Sequence, residues 1–431
     1  MRKLLEITGI ELKALVRSHT VAMLVFASVA WMVVFPHIAK GDGTAEGVRE
    51  LAIHYSLGGV FALLVISLLA SATGSIAKER TARRLQLTMV RPVRYFVIAL
   101  GKMAAHVVVG AVVLALSCAV LAFRAELGRP CNHVLKPVMP SPQEEAKTMY
   151  AAYMADTNTP VAVRHARKSV VLRLLANRAV DRYETIPPGT VTTWTFRGDE
   201  EGALEGMSGL AVRMRFTNQF EMRQDVRGVF SFGSLGASVS NITQAVLTMP
   251  LRPVEKGDGG AAAAERGAGE LSFANHGKTA LMLRPRRDIE LLLPADAFWC
   301  NLLRAYAEMV SVLALVIAFG VVLSAGLGRP VALFVAFVAL TVGEMSPSVI
   351  EQYPDELETK LVDRVGLAIT RFAADVTSPV SSLSPLERLA KDECVEPHET
   401  VRLAVSNLVV LPALLSLLAA FVLPRKQDEG Q

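Results

Sequence analysis

"KERTARRLQLTMVRPVRYFVIALGK", residues 78 to 102, lies between two apolar runs that are each fit to cross a bilayer. Ahead of a closing Gly101-Lys102 it holds six cations, Lys78, Arg80, Arg83, Arg84, Arg91 and Arg94, with a proline at Pro92. Ala82, Leu85 and Met89 recur at spacings of three and four while Arg80, Arg83 and Arg84 fall on other faces, so the stretch predicts a short amphipathic helix. Pro92 ends it. Cations here obey the positive-inside rule and bind anionic lipid head groups. Lipid alone does not require Leu85, Leu87, Met89 and Val90 beside a fixed proline; a helix that inserts into a groove on another protein does.

Outward from this link, composition sets the class. A chain of 431 residues that is 52% hydrophobic is too apolar for an ordinary soluble enzyme, and 20% charged is too polar for a membrane-only bundle. The net charge of +5 is spread along the flanks of apolar runs and forms no basic face, so no nucleic-acid partner is expected. Six runs approach the length that spans about 30 Å of hydrocarbon as helix: Thr20 to Ile38, Ser56 to Ala77, Ala104 to Phe123 with His106 near one end, Tyr306 to Ala325, the short Val331 to Met345, and Leu403 to Leu423. The expected fold is an α-helical membrane protein with six transmembrane helices and an inserted extracytoplasmic α+β domain. Its parts are residues 1–123, with the interfacial helix, three spans and the link 78–102; residues 124–299, the insert; and residues 300–431, with three spans and an external helical loop at 346–400.

Lys and Arg orient the chain. Arg2, Lys3, Lys13, Arg17, the link, Arg329, Arg425 and Lys426 all fall on one side if both termini are cytoplasmic. Residues 1–19 put Leu5, Thr8, Leu12 and Leu15 at helical spacing and contain Glu6 and Glu11, which reads as an amphipathic helix in the interface and not as a cleaved signal. The expected location is therefore a bacterial cytoplasmic (inner) membrane, with residues 124–299 outside.

Within the insert, residues 142–183 read as two helical pieces broken near Thr159-Pro160. Beyond them "TVTTWTFRG", "LAVRMRFTN", "GVFSFGS", "AVLTMPLRP", "GELSFANHG", "ALMLRP" and "DIELLLP" alternate apolar and polar residues between Gly, Pro, Asn and Asp. Short strands at this spacing predict an antiparallel β-sandwich. The stretch "EKGDGGAAAAERGAGE", 255 to 270, reads as a solvated connector.

Catalytic motifs are not expected to define this chain. "SFANHGKT" ends like a phosphate-binding loop but has Ser272 where that loop needs glycine to wrap backbone N–H groups around phosphate. Neither a His-Glu-x-x-His, a G-x-S-x-G elbow nor a paired CxxC occurs. No enzyme and no cofactor in this chain are expected. Of the four cysteines, Cys118 lies within the third span and reads as a packing residue. Cys131 and Cys300 bracket the insert, so a disulfide between them would staple its ends in an oxidising compartment. An alternative is metal: Cys131, His133, Cys394 and His398 together offer two sulfurs and two imidazoles, a set suited to copper or zinc.

The chain resembles the permease subunits of ABC-2 type transporters, including the group associated with copper-enzyme maturation and gliding motility. The resemblance rests on Glu79, the apolar segment Leu85 to Met89, Pro92-Val93-Arg94 and Gly101-Lys102, and it covers residues 1–123 and 300–431. It implies the interfacial helix, six spans, a cytoplasmic turn such as "GLGRP" and re-entrant external helices within 346–400. It also implies that two permease subunits, identical or different, pair in the membrane, and that separate ATP-binding subunits carry the ATP. Glu79, Arg80, Arg83, Arg84, Leu85, Met89, Pro92 and Arg94 would then form the contact with the ATP-binding subunit, Leu85 and Met89 as anchors. The insert at 124–299 departs from the family pattern and admits a periplasmic partner of its own. Two other readings stand beside transport: mechanotransmission, in which ATP hydrolysis inside moves the external domain without transport, and a membrane-anchored scaffold or binding protein.

Overall fold

Lipid offers main-chain groups no hydrogen-bond partner, so an apolar run in a bilayer must satisfy them within itself as helix. The long apolar runs of this chain are helices. The computed structural model describes residues 2–38, 45–81, 94–124, 130–139, 141–155, 168–196, 209–215, 227–240, 246–253, 270–278, 280–352 and 384–428. The chain divides into two compact units, Met1–Cys131 with Asp296–Gln431, and Asn132–Ala295.

The first unit opens with α1 (Arg2–Val16), α2 (His19–Ile38), α3 (Ala45–Thr81) and α4 (Tyr95–Arg124). Between α1 and α2 the chain bends by 66°. Ser18 makes the corner: its hydroxyl donates to Leu15 O at 2.6 Å and accepts from Val21 N–H at 3.4 Å, which caps the start of α2.

Among the described residues the second unit is built from α5 (Pro142–Ala155), α6 (Lys168–Glu184), the four-residue α7 (Pro285–Asp288) and twelve strands. The strands are β1 (Pro130–Leu135), β2 (Pro137–Val138), β3 (Thr185–Ile186), β4 (Val191–Phe196), β5 (Ala211–Arg215) and β6 (Arg227–Phe232), then β7 (Leu235–Ser240), β8 (Val246–Pro250), β9 (Arg252–Pro253), β10 (Glu270–Asn275), β11 (Leu281–Met282) and β12 (Ile289–Ala297). They form a sheet ordered β1-β12-β5-β8, a sheet ordered β2-β4-β10-β6-β7-β9 and the pair β11-β3. The registered pairings within them are antiparallel. Trp194, Phe196, Phe230, Phe232, Leu271 and Phe273 from the six-stranded sheet share one core with Val212, Met214, Ile289 and Leu291 from the four-stranded one. Alternation exposed most of these strands to sequence reading. β1, β2, β3 and β7 fall outside the expected stretches; in β7, "LGASVS" carries small residues in place of the large apolar ones that mark a strand. Ser272 of the phosphate-loop decoy sits within β10, opposite Thr193 and Ser231. α5 and α6 pack on each other through Ala146, Val171 and Leu175, and the expected break at Thr159-Pro160 lies outside the described residues.

The first unit resumes with α8 (Phe298–Gly326), α9 (Arg329–Gln352), α10 (Ser384–Ala390), α11 (Pro397–Val405), a π turn at Ser406–Val410 and α12 (Leu411–Asp428). Among the described residues four helical segments are long and apolar enough to cross a membrane: Glu50–Glu79, Tyr95–Phe123, Phe298–Gly326 and Pro397–Phe421. The bent pair α1–α2 makes a fifth if counted as one span, and the apolar part of α9, Arg329–Thr341, is shorter. α8 is the hub, with 72% of its apolar window buried against 22% for the last segment. It packs on α3, α4, α9, α10, α11 and α12, whereas Val409, Leu414, Leu417 and Phe421 of the last segment remain exposed.

Trp31 of α2 lies directly over Gly59 of α3. A Cβ at Gly59 would overlap Trp31 Nε1, the atom that donates to Tyr55 O at 3.1 Å. Gly59→Val is therefore expected to displace the indole, break that hydrogen bond and cost about 1 to 3 kcal/mol. Gly58→Ala, whose added carbon meets only Leu386 at 3.9 Å, should cost much less. Thermal unfolding in detergent, followed by tryptophan fluorescence, checks the difference; equal midpoints would show that α2 does not pack on α3 in this way.

Candidate functional site

The face that α1 turns inward is Leu4, Ile7, Thr8, Glu11, Leu12 and Leu15. Of the expected face Leu5, Thr8, Leu12 and Leu15, the last three turn inward while Leu5 is 71% exposed. Gly101 sets the contact. Its missing side chain admits Ile7, whose Cγ2 would lie 2.8 Å from a Cβ there, and α1 packs along α4. That approach carries Glu11 to Lys102.

Lys102 Nζ donates to Glu11 Oε2 at 2.9 Å and to Glu79 Oε1 at 2.8 Å. Its side chain is 3% exposed, with Glu11 at 17% and Glu79 at 31%. A buried ammonium without partners costs several kcal/mol; here two carboxylates from two other helices compensate it. One turn further, His106 Nδ1–H donates to Lys102 O at 2.8 Å, since a carbonyl only accepts. Through Nε2 the ring is also hydrogen-bonded to the Ser71 hydroxyl at 3.1 Å. The two helices that enter and leave the link are thus pinned twice to each other and once to α1. A displacement of the link must move all three.

Around this base the structure gathers cations. Arg329, at the turn between α8 and α9, reaches Gly74 of α3, with its Nε 3.2 Å from a Cβ built there, and Lys78 Cε comes within 3.4 Å of the same point. Arg94 is exposed and its carbonyl accepts from Val97 N–H at 2.9 Å as α4 begins. Of the remaining link residues, Arg80 lies in the last turn of α3 with its side chain outside the described residues, and Arg83, Arg84, Leu85, Met89 and Pro92 lie outside them altogether. Glu11, Ser71 and His106 were not singled out from the sequence as site residues. The signal available was chemical: a lysine at the mouth of an apolar run needs a carboxylate, and Glu11 lies on the same helical face as Leu12 and Leu15.

At the opposite end of α3 and α4 the chain is tied covalently. Cys131 pairs with Cys394, Cα atoms 5.2 Å apart, across 263 residues. This corrects the expected Cys131–Cys300 bridge; Cys300 is a free, exposed thiol and Cys118 a free, buried one. The reason is the neighbour of Cys300. Asn301 donates from Nδ2 to Glu393 O at 2.8 Å and accepts from Val395 N–H at 2.7 Å, so it holds the segment around Cys394 at the start of α8 while Cys300 faces away. Arg304 adds a bond to Val395 O at 3.3 Å and an ion pair with Asp296 at 2.7 Å. Thr400 donates to the buried Glu308 at 2.8 Å. Arg388 binds Glu399 at 2.8 Å; burial works against its charge, but the hydrogen bond and charge of Glu399, with Glu308 and Glu396 beyond, hold the guanidinium above its ordinary value.

The disulfide also dissolves the expected metal set. Cys131 and Cys394 meet, but as a bonded pair their sulfurs are not thiolate ligands. His398 converges instead with Glu396 and Glu399, ligand atoms within 4.8 Å of one another, while His133 is exposed on β1.

No family model matches this chain, and neither a curated protein nor a solved structure matches it.

Two outcomes are expected. Lys102→Met leaves Glu11 and Glu79 facing each other, and its cost should sit near the low end of the roughly 3 to 5 kcal/mol for a broken buried pair, because Glu79 reaches solvent. Adding Glu11→Gln should recover part of the loss; a detergent unfolding series in which the double variant is no more stable than Lys102→Met would remove the pair from the structure. Non-reducing peptide mapping should find Cys131 joined to Cys394 and Cys300 open to alkylation without reductant. A Cys131–Cys300 peptide would reinstate the alternative bridge.

Proposed function

We propose that this chain is the membrane-spanning permease subunit of an ABC transporter, coupling ATP hydrolysis by a separate ATP-binding subunit to movement of a substrate across a bacterial cytoplasmic membrane. The observation that carries the reading is the buried Glu11–Lys102–Glu79 cluster at the base of the link. A link that merely joined two spans needs no such anchor; one that receives force from a partner does, because force applied to it is lost unless its flanking helices move with it.

Two further features support the orientation. Disulfides persist in oxidising compartments, which favours the Cys131–Cys394 end as external. Lys78, Arg94 and Arg329 gather at the other end, which the positive-inside rule makes cytoplasmic. In this reading α1 lies in the cytoplasmic interface, α2 and the apolar part of α9 complete six spans, both termini are inside, and the second unit is extracytoplasmic. Two permease subunits pair, and each meets an ATP-binding subunit through the link, Leu85 and Met89 filling its groove and Arg80, Arg83 and Arg84 at the rim. Buried anchors carry most interface energy, whereas rim charges chiefly set encounter rate and orientation. The separately cored second unit favours mechanotransmission as the second reading, in which that unit, and no solute, is what moves.

The test is co-purification from native membranes. The full chain should bring down an ATP-binding protein with vanadate-sensitive ATPase activity. Leu85→Asp with Met89→Asp should reduce its recovery more than about tenfold, consistent with loss of two anchors, while the chain stays membrane-inserted; Arg83→Ala should change it little. Unchanged recovery in the double variant, or no ATP-binding protein with the parent chain, overturns the proposal. Transport in proteoliposomes then separates a permease from a mechanotransmitter.

A further inference from the structure

A cleft of about 590 Å³ opens at the disulfide end of the first unit, between the first turns of α3 and the short helix α10, lined by Gly47, Glu50, Leu51, His54, Tyr55 and Glu387. Its size falls within the range of small-molecule sites. Helical spacing builds it: Glu50 and His54 are one turn apart on α3, Leu51 and Tyr55 are one turn apart beside them, and Gly47 leaves the first turn without a side chain. Glu387 approaches from the facing helix. Among the described residues neither lysine nor arginine lines the cleft. Glu387 is already paired with Lys391, one turn along α10, whereas Glu50 has no ion pair among the described residues. Among the described residues the excess charge of the cleft is therefore negative.

The remaining wall is aromatic. Tyr55 is 52% exposed and meets His54 edge-on at 5.1 Å. It also stacks on Phe35 at 5.7 Å, which in turn stacks on Trp31 at 5.2 Å. Carboxylate beside an aromatic ring is the chemistry that recognises an ammonium group, the first by charge and the second by cation–π attraction. A metal ion fits less well. Among the described residues the His and carboxylate set whose ligand atoms converge within 4.8 Å is Glu396, His398 and Glu399, not Glu50, His54 and Glu387. Carboxylates spread across two walls suit a cation of several atoms.

We propose that this cleft binds an organic ammonium group, carried by a small free amine or by a zwitterionic phospholipid headgroup. The inference is independent of the transport reading, since it concerns the end of the bundle away from the link. Trp31 reports on it through the Phe35 stack. The chain has three tryptophans, so Trp194→Phe with Trp299→Phe leaves Trp31 alone. The full chain in phosphatidylglycerol nanodiscs is titrated with choline chloride and with ethanolamine hydrochloride against sodium chloride at equal ionic strength.

A saturable change in Trp31 emission is expected with the amines and not with sodium. Glu50→Gln should raise the half-saturation concentration about tenfold or more, and Tyr55→Leu by roughly threefold to tenfold. Repeating the titration in phosphatidylethanolamine nanodiscs separates the sources: a headgroup ligand starts the signal at its bound value and suppresses the response, whereas a free-amine site responds alike in both lipids. If the tryptophan background does not fold, equilibrium dialysis of labelled choline against the parent chain and Glu50→Gln gives the same comparison. No saturable binding, an equal response to sodium, or an unchanged half-saturation in Glu50→Gln overturns the site.

Discussion

One buried ammonium organises the link end of the membrane unit. Lys102 stands where α4 enters apolar surroundings, and its charge is tolerable there only because Glu11 and Glu79 reach it from two other helices. Three helices that could slide past one another on apolar contacts alone are thereby held in one register. The cost of separating them is set by electrostatics in a low-dielectric setting, where one charge contact outweighs many single dispersion contacts between apolar surfaces. Gly101 makes the approach of α1 feasible, and the Ser71–His106–Lys102 hydrogen bonds extend the same tie one turn deeper.

The other end of the unit is secured by different chemistry. The Cys131–Cys394 bond, the two-sided Asn301 clip and the Arg304 contacts fasten the segment before the last span to the start of α8. Between these secured ends the last segment is the least packed, and it holds a π turn at Ser406–Val410. Asn407 within that turn is fully buried, with neither amide atom hydrogen-bonded among the described residues. A widened helical turn beside an unsatisfied amide is a weak point in the bundle, where Ser28 and Ser56 also bury hydroxyls with no partner among the described residues. Motion along this segment therefore meets less resistance than motion of α3, α4 or α8.

The second unit obeys simpler rules. Its core is made by alternation, with large residues such as Phe230 and Phe273 meeting at ring centroids 4.6 Å apart across the β6–β10 pair. The buried Arg213–Glu290 ion pair lies at directly opposed positions of β5 and β12, so it adds register specificity between these strands. Such a core needs no help from lipid.

Several features were legible in the residues themselves because they depend on local periodicity. Continuous apolarity marks α3, α4 and α8, alternation of apolar and polar residues marks β4, β6 and β10, and a short apolar run marks β12; each reports how much of its segment must leave water. The cations around the link were legible for the same reason, since topology signals are counted in short loops. Partnership was not. Glu11 meets Lys102 across 91 residues and Asn301 meets Val395 across 94, and Cys131 chooses Cys394 over Cys300 because Asn301, not its neighbour, faces that segment. Hydropathy records that a side chain is buried, whereas which distant group lies opposite it depends on how the helices cross, and only the folded chain decides that.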